Sequence, residues 1–86
     1  MDKKRFPNKK AVEEQKANLI DADLTKMNLK GANLKGANLR DADLEDAKLG
    51  GAKLKDADLI RAYLHDAKLG GANLEGVDFR ANLDDL

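Results

Sequence analysis

The sequence contains no cysteine and no tryptophan, one proline, one tyrosine (Tyr63) and two phenylalanines (Phe6, Phe79). Without cysteine there is no disulfide framework, no thiolate nucleophile and no cysteine metal site. With aromatics at 3%, any core has to be built from leucine and alanine. Charge of one sign is also missing. Sixteen Lys plus Arg balance sixteen Asp plus Glu, which removes the general attraction that drives binding to nucleic acid or anionic membranes. No apolar run is long enough to span a bilayer, and Met1-Asp-Lys-Lys-Arg-Phe-Pro7 lacks the apolar stretch of a signal peptide. The expected address is the cytoplasm. At 86 residues the chain holds one core at most.

What it does contain is a repeat. Leucine recurs every fifth residue from Leu19 to Leu74, and Phe79 completes the series. Two positions before each stands a small residue, alanine except at Met27 and Val77. These pentapeptides, thirteen in all, fill residues 17–81. The organisation is therefore a basic N-terminal segment or cap (1–16), the repeat (17–81) and a short tail (82–86). A step of five scatters leucines around an α-helix of 3.6 residues per turn, and on a continuous strand it places them on alternate faces. The pattern is self-consistent only if the chain bends once per pentapeptide. The small residue and the leucine then point inward and the other three positions point out.

Longer-range similarity gives the number of bends per coil. Ala47-Lys-Leu-Gly-Gly51 returns as Ala67-Lys-Leu-Gly-Gly71, and Asn18/Asn38, Asp23/Asp43 and Asp46/Asp66 keep the same interval of twenty. Four pentapeptides thus close one square coil. Glycine at the second residue after leucine (Gly31, Gly36, Gly51, Gly71, Gly76) suits a type II turn, which needs positive φ there. Corners with Asp21, Asp41, Asp46, Asp66 or Arg61 in that slot are expected to use a different turn, so two kinds of corner are predicted. The Asn and Asp residues before leucine, such as Asn18, Asn33 and Asn38, are expected to bond neighbouring backbone.

Segments such as Ala22-Asp-Leu-Thr-Lys26, Ala32-Asn-Leu-Lys-Gly36 and Ala42-Asp-Leu-Glu-Asp46 resemble the pentapeptide-repeat protein family, with its signature Ala-(Asp/Asn)-Leu-x-x. Departures are Lys48, Lys53, Lys68 and Tyr63 in the Asp/Asn slot, and Met27 and Val77 in the alanine slot. The resemblance implies an all-β fold, a right-handed quadrilateral β-helix (β-solenoid) of about three coils; the handedness comes from the resemblance alone. It also suggests an alternative function, mimicry of DNA directed at a topoisomerase such as gyrase. A short rod of balanced charge argues against that, because B-DNA carries one charge per about 1.7 Å.

A short stack is governed by its ends, since the first and last coils each lack a neighbour. Asn8 followed by Lys9-Lys-Ala-Val-Glu-Glu-Gln-Lys16 reads as an N-cap and short helix, with Phe6 or Val12 covering the first coil; the alternative is a frayed segment. At the other end the repeat slips by one residue at Ala81-Asn-Leu83. Val77, Phe79, Leu83 and Leu86 then form an apolar end. Two coverings fit it: a homodimer made by two-fold stacking of two such ends, or Leu83 and Leu86 folded back as a lid.

No residues point to catalysis. Serine and cysteine are absent and Thr25 is the only threonine, so no nucleophilic triad can be assembled and no threonine ladder exists for ice binding. His65 beside Asp66, with Glu45 one coil away, reads as solvated surface. The Gly50-Gly51 and Gly70-Gly71 pairs read as corners rather than phosphate loops. No catalytic, cofactor or metal site is assigned. Sorting the repeats by every fourth one gives an acidic face (Asp23, Lys26, Asp43, Glu45, Asp46, Asp66) and a basic face (Lys30, Lys48, Lys68), while Ile20 and Ile60 are expected to point outward around Arg40. The reading is a non-enzymatic structural or protein–protein interaction module of unknown partner, with no nucleic acid and no membrane.

Overall fold

The computed structural model of the protein describes residues 1–80. Its backbone is tied together by parallel bridges between residues twenty apart, arranged in four columns. These are Asp23–Asp43–Tyr63, Asn28–Lys48–Lys68, Asn33–Lys53–Asn73 and Asn38–Asp58–Asp78. Each column marks one wall of a square coil. The wall through Asn38, Asp58 and Asp78 is called wall 1, and those through Asp23, Asn28 and Asn33 are walls 2, 3 and 4. The bridges are single residues because the chain turns again before a longer strand can form.

The pentapeptides from residue 22 to residue 56 each repeat three inter-coil bonds. On wall 2 the amides of Leu24 and Lys26 donate to the carbonyls of Asp43 and Glu45 (both 2.9 Å), and Asp43 N–H donates back to Ala22 O (2.9 Å). A fourth bond closes the corner, as from Ala47 N–H to Leu44 O (3.0 Å). Backbone polarity is thereby satisfied along the walls, as burial of the inward side chains demands. Leu19 to Leu59 are at most 2% exposed and the alanines from Ala22 to Ala62 at most 5%, so the interior is a leucine column lined with alanine.

All twelve corners from residue 21 to residue 76 have positive φ at the second residue after leucine, between 58° and 74°. The two kinds of corner expected from the sequence are therefore one kind. Asp21, Asp41, Asp46, Asp66 and Arg61 adopt the same left-handed conformation as Gly31 or Gly51, as do Lys26 and Asp56. From residue 21 to residue 56 the physical reason is the ladder: the N–H at this slot bonds the next coil, for example Asp41 to Ile60 O (3.0 Å) and Gly51 to Gly70 O (2.9 Å). A different turn would aim that donor elsewhere. A non-glycine residue costs about 1–2 kcal/mol in this region, comparable to a bond lost with its partner left unsatisfied.

The first repeat is irregular. Asn38 N–H donates to Lys16 O (2.8 Å) rather than to Ala17 O, and Ala17 is exposed. The regular interior starts at Leu19 instead of Ala17, because the preceding helix delivers the chain one residue out of step.

That helix, α1 (Lys9–Glu14), is N-capped by Asn8, whose Oδ1 accepts from Ala11 N–H (2.9 Å). A helix this short needs packing to persist, and Val12 (0% exposed) and Phe6 (1%) supply it by closing the first coil together. The Arg5 guanidinium lies 4.6 Å from the Phe6 ring centroid. Arg5 and Gln15 exchange two bonds, Arg5 Nε to Gln15 Oε1 and Gln15 Nε2 to Arg5 O (both 2.9 Å). The same segment also meets the open backbone edge on every wall. Arg5 Nη2 donates to Asn18 O on wall 1 (2.6 Å), and Asp2 N–H to Asp23 O on wall 2 (3.1 Å). Lys9 Nζ donates to Lys30 O on wall 3 (3.0 Å), and Asn33 N–H on wall 4 donates to Glu13 Oε2 (2.7 Å).

At the other end burial fades. Leu64, Ala67, Leu69, Leu74 and Val77 are only partly buried, and Phe79 is 40% exposed.

Candidate interaction surfaces

The outward residues are held in ladders by their own local bonds. In eight repeats the Asp or Asn before leucine accepts from the N–H two residues on, as Asn33 does from Lys35 (3.3 Å), Asn38 from Arg40 (3.3 Å) and Asp43 from Glu45 (3.0 Å). The bonding expected for Asn33 and Asn38 is present. Asn18 makes none, since its repeat is the irregular one. Where Lys48, Lys53, Tyr63 and Lys68 replace the Asx residue, the amides of Gly50, Lys55, His65 and Gly70 have no acceptor among the described residues. The price of those four substitutions is a lost local bond, while the coil itself is unaltered.

Wall 2 gathers Asp23, Asp43, Glu45, Asp46 and Asp66 against Lys26, and Tyr63 stands in this wall's bridge column at 49% exposure. The Asp23 carboxyl is held below its usual 3.8 by bonds from the Thr25 hydroxyl and amide and by the N-terminal ammonium 3.5 Å away. Wall 3 carries Lys30, Lys48 and Lys68, with the last two directly stacked. The two charged faces read from the sequence are thus adjoining walls.

Wall 1 pairs its three arginines internally and leaves Asp21 over. Arg40 pairs with Asp58 (2.5 Å), Arg61 with Asp41 (2.8 Å) and Arg80 with Asp78 (2.9 Å). The guanidinium of Arg61 lowers the Asp41 carboxyl, and bonds from Arg80 lower that of Asp78. Ile60 departs from expectation here. Its counterpart Ile20 is 41% exposed, but Ile60 is only 6% exposed. Its place in the twenty-residue ladder is between Arg40 and Arg80, whose aliphatic stems are long enough to cover it.

His65 Nε2 lies 3.3 Å from Asp66, both side chains are about two-thirds exposed, and Glu45 is not drawn into the pair. Among the described residues no three acidic or histidine side chains come together as metal ligands, and the surface has no pocket. Of the apolar end, Val77 is partly buried against the core and Phe79 is exposed; Leu83 and Leu86 lie outside the described residues. The N-terminal edge bonds of Asp2, Arg5, Lys9 and Glu13 were not anticipated, because nothing in their spacing marks them.

Walls that repeat every twenty residues around a dry apolar column define a parallel β-solenoid, whose outward positions are free of core duty. The chain belongs to the pentapeptide repeat family: the family's sequence model, described as "Pentapeptide repeats", matches eight copies over residues 17–56 and 42–80. It is similar to the crystal structure of a pentapeptide repeat protein from the thylakoid lumen of Arabidopsis thaliana, with 36% identity over 71% of this chain and a TM-score of 0.69. It is also similar to the pentapeptide repeat protein Rfr23 from the cyanobacterium Cyanothece 51142, with 34% identity over 69% of this chain and a TM-score of 0.56. This chain spans 42% of the length of each of those solved chains. No curated protein matches it. These relatives imply the right-handed quadrilateral β-helix. No helix among the described residues is long and apolar enough to cross a membrane.

Proposed function

We propose that the chain is a non-enzymatic protein-interaction module that meets a basic protein partner through wall 2. Pentapeptide repeat proteins generally act as interaction modules, which supports the coarse reading. The observation that carries the finer one is Tyr63, a half-exposed aromatic ring in the same column as Asp43, with Glu45, Asp46 and Asp66 on the same wall. Tyrosine is among the residues that most often anchor protein contacts, and surrounding carboxylates favour a partner rich in Lys or Arg by steering and by register. The address proposed from the sequence start is the cytoplasm. The Arabidopsis relative comes from the thylakoid lumen, so the fold itself does not choose the compartment.

The topoisomerase alternative has no surface feature in its favour. Acidic wall 2 adjoins basic wall 3 along the same short rod, so the walls make no continuous acidic track.

The test is photo-crosslinking from position 63, with a benzophenone side chain replacing Tyr63, in an extract of the source organism. The expected result is one defined adduct that disappears with Asp43→Lys plus Asp46→Lys. Adducts that survive charge reversal, or that form equally from position 48 on wall 3, refute the assignment.

A further inference from the structure

We propose that wall 3 is a docking surface for an acidic, extended segment of a protein partner, whose carboxylate oxygens bond the amides of Gly50 and Gly70. This inference is independent of the wall 2 reading, since it uses other residues and a partner of opposite charge. It starts from the amides of a single repeat. In Ala47-Lys-Leu-Gly-Gly51 the coil itself uses the amides of Ala47 (to Leu44 O, 3.0 Å), Lys48 (to Met27 O, 2.9 Å), Leu49 (to Lys68 O, 2.8 Å) and Gly51 (to Gly70 O, 2.9 Å). The remaining amide, on the residue after leucine, is left to the Asx side chain, as Lys30 N–H donates to Asn28 Oδ1 (3.2 Å) on the same wall. With Lys48 and Lys68 in the Asx slot, Gly50 and Gly70 keep that donor open among the described residues. Gly50 lies inside the stack, between Lys30 and Gly70, so its open amide comes from the repeat's own sequence and not from an edge of the coil.

The two donors are fixed, uncovered and surrounded by charge of one sign. Corner bonds hold the peptide units that carry them, from Ala52 N–H to Leu49 O (3.0 Å) and from Ala72 N–H to Leu69 O (2.9 Å), so a ligand finds them already oriented. Around a Cβ placed on Gly70 no atom beyond its chain neighbours lies within 4 Å, and one on Gly50 meets Gly70 O (3.6 Å) and Lys30 Cγ (3.9 Å). The Lys30 stem therefore runs against Gly50 and brings its ammonium to the same strip. Wall 3 carries Lys30, Lys48 and Lys68 and no acidic residue. None of these lysines joins an ion pair among the described residues, with Asp46 and Asp66 at the adjoining corner included. Lys9 Nζ, held on Lys30 O (3.0 Å), adds a cation at the upper edge. Amide donors beside ammonium groups favour an ionised acceptor. The open amide of His65 lies instead among the carboxylates of wall 2, and that of Lys55 beside Asp56. Stacked walls lie about 4.8 Å apart, too far for both oxygens of one carboxylate, so the strip suits successive side chains of an extended acidic chain. Among the described residues no pocket encloses a small anion, and wall 3 has no aromatic ring on which a base could stack.

The experiment is an NMR titration of the 86-residue protein with a glutamate decapeptide, with Kd read from the anisotropy of the labelled peptide. The largest amide shifts are expected at Gly50 and Gly70. Binding should weaken at least tenfold from about 0.01 M to about 0.15 M salt, as the screening length falls from about 30 Å to about 8 Å. Two double variants separate the amides from the charge. Lys48→Asn with Lys68→Asn removes two ammonium groups and gives each glycine amide an internal acceptor, whereas Lys48→Gln with Lys68→Gln removes the same charge with a side chain longer than that bond requires. The Asn pair should bind at least tenfold more weakly than the unmodified protein and at least threefold more weakly than the Gln pair. Its urea midpoint should be no lower than the original, so that lost binding is not lost fold. Lys35→Gln with Lys53→Gln, on wall 4, should change Kd less than threefold. Equal binding by the Asn and Gln pairs overturns the proposal, as do shifts centred on wall 4 or on the first sixteen residues. The same shifts with inorganic phosphate at equal concentration overturn it in favour of a small-anion site. Tighter binding to phosphatidylserine vesicles or single-stranded DNA than to the peptide, or a wall 2 to wall 3 dimer formed without peptide, overturns the choice of occupant.

Discussion

Replacing Phe6 with alanine tests whether the N-terminal segment is a lid or a decoration. Phe6 is 1% exposed beneath the Arg5 guanidinium, and with Val12 it covers the first coil. Phe-to-Ala truncations at buried sites cost about 3–5 kcal/mol, from lost transfer free energy and the cavity left behind. A domain of this size has a total margin of about 5–15 kcal/mol, so one side chain far from any repeat would remove a large share of it. With about 4–8 °C per kcal/mol at this length, Tm should fall by about 12–40 °C. Phe6→Leu, which keeps most of the volume, should cost less than about 1.5 kcal/mol. The assay is urea unfolding followed by circular dichroism, with an unchanged m-value expected. Exchange should accelerate first at Leu19 and Leu24, because a stacked array opens from a weakened end. A loss below about 1 kcal/mol, or acceleration that begins at Leu54 and Leu59, would refute the lid.

Lys48→Asn restores an acceptor for the Gly50 amide and should raise stability by about 0.5–1.5 kcal/mol in urea titration; the reverse change, Asn38→Ala, should lower it by a similar amount. Acid sensitivity follows from Asp23, Asp41 and Asp78, whose carboxyls lie below their usual 3.8 in the folded protein. A depressed folded value means that the stabilisation is present above the unfolded value and is lost as pH falls through the folded one. The urea midpoint should therefore hold down to about pH 4 and decline below it, and Arg61→Ala should make the decline shallower.

The period of five and the interval of twenty made the leucine column and the walls legible, because a side chain either fits the interior at every coil or fits at none. Residue preference alone does not give the corner geometry, which is the same at all twelve corners. Asp41 and Asp46 take the glycine-like conformation where their amides bond the next coil, to Ile60 O and His65 O, and that constraint is collective rather than local. Ile60, 6% exposed where its counterpart Ile20 is 41% exposed, differs from the outward placement for a similar reason. Its burial depends on what the twenty-residue ladder places beside it, with Arg40 and Arg80 the neighbouring positions, and a single repeat read alone does not show that. Phe6, Val12 and Asn8 announced a cap, but the bonds of Asp2, Arg5, Lys9 and Glu13 to four separate walls depend on where the coil edge lies in space. Tyr63 showed in the sequence as a departure from the repeat, and only its column placed it among the carboxylates.

Because the bridges join residues twenty apart, the protein responds to length changes in whole steps. Adding or deleting a full set of four pentapeptides lengthens or shortens the stack and leaves every later side chain on its old wall. Gaining or losing a single pentapeptide keeps the leucine column intact but rotates everything downstream by a quarter turn; a loss upstream swings Lys68 onto acidic wall 2, and a gain carries it to wall 4. A frame-preserving slip of fifteen bases in the coding sequence would thus rewrite the surface while sparing the fold.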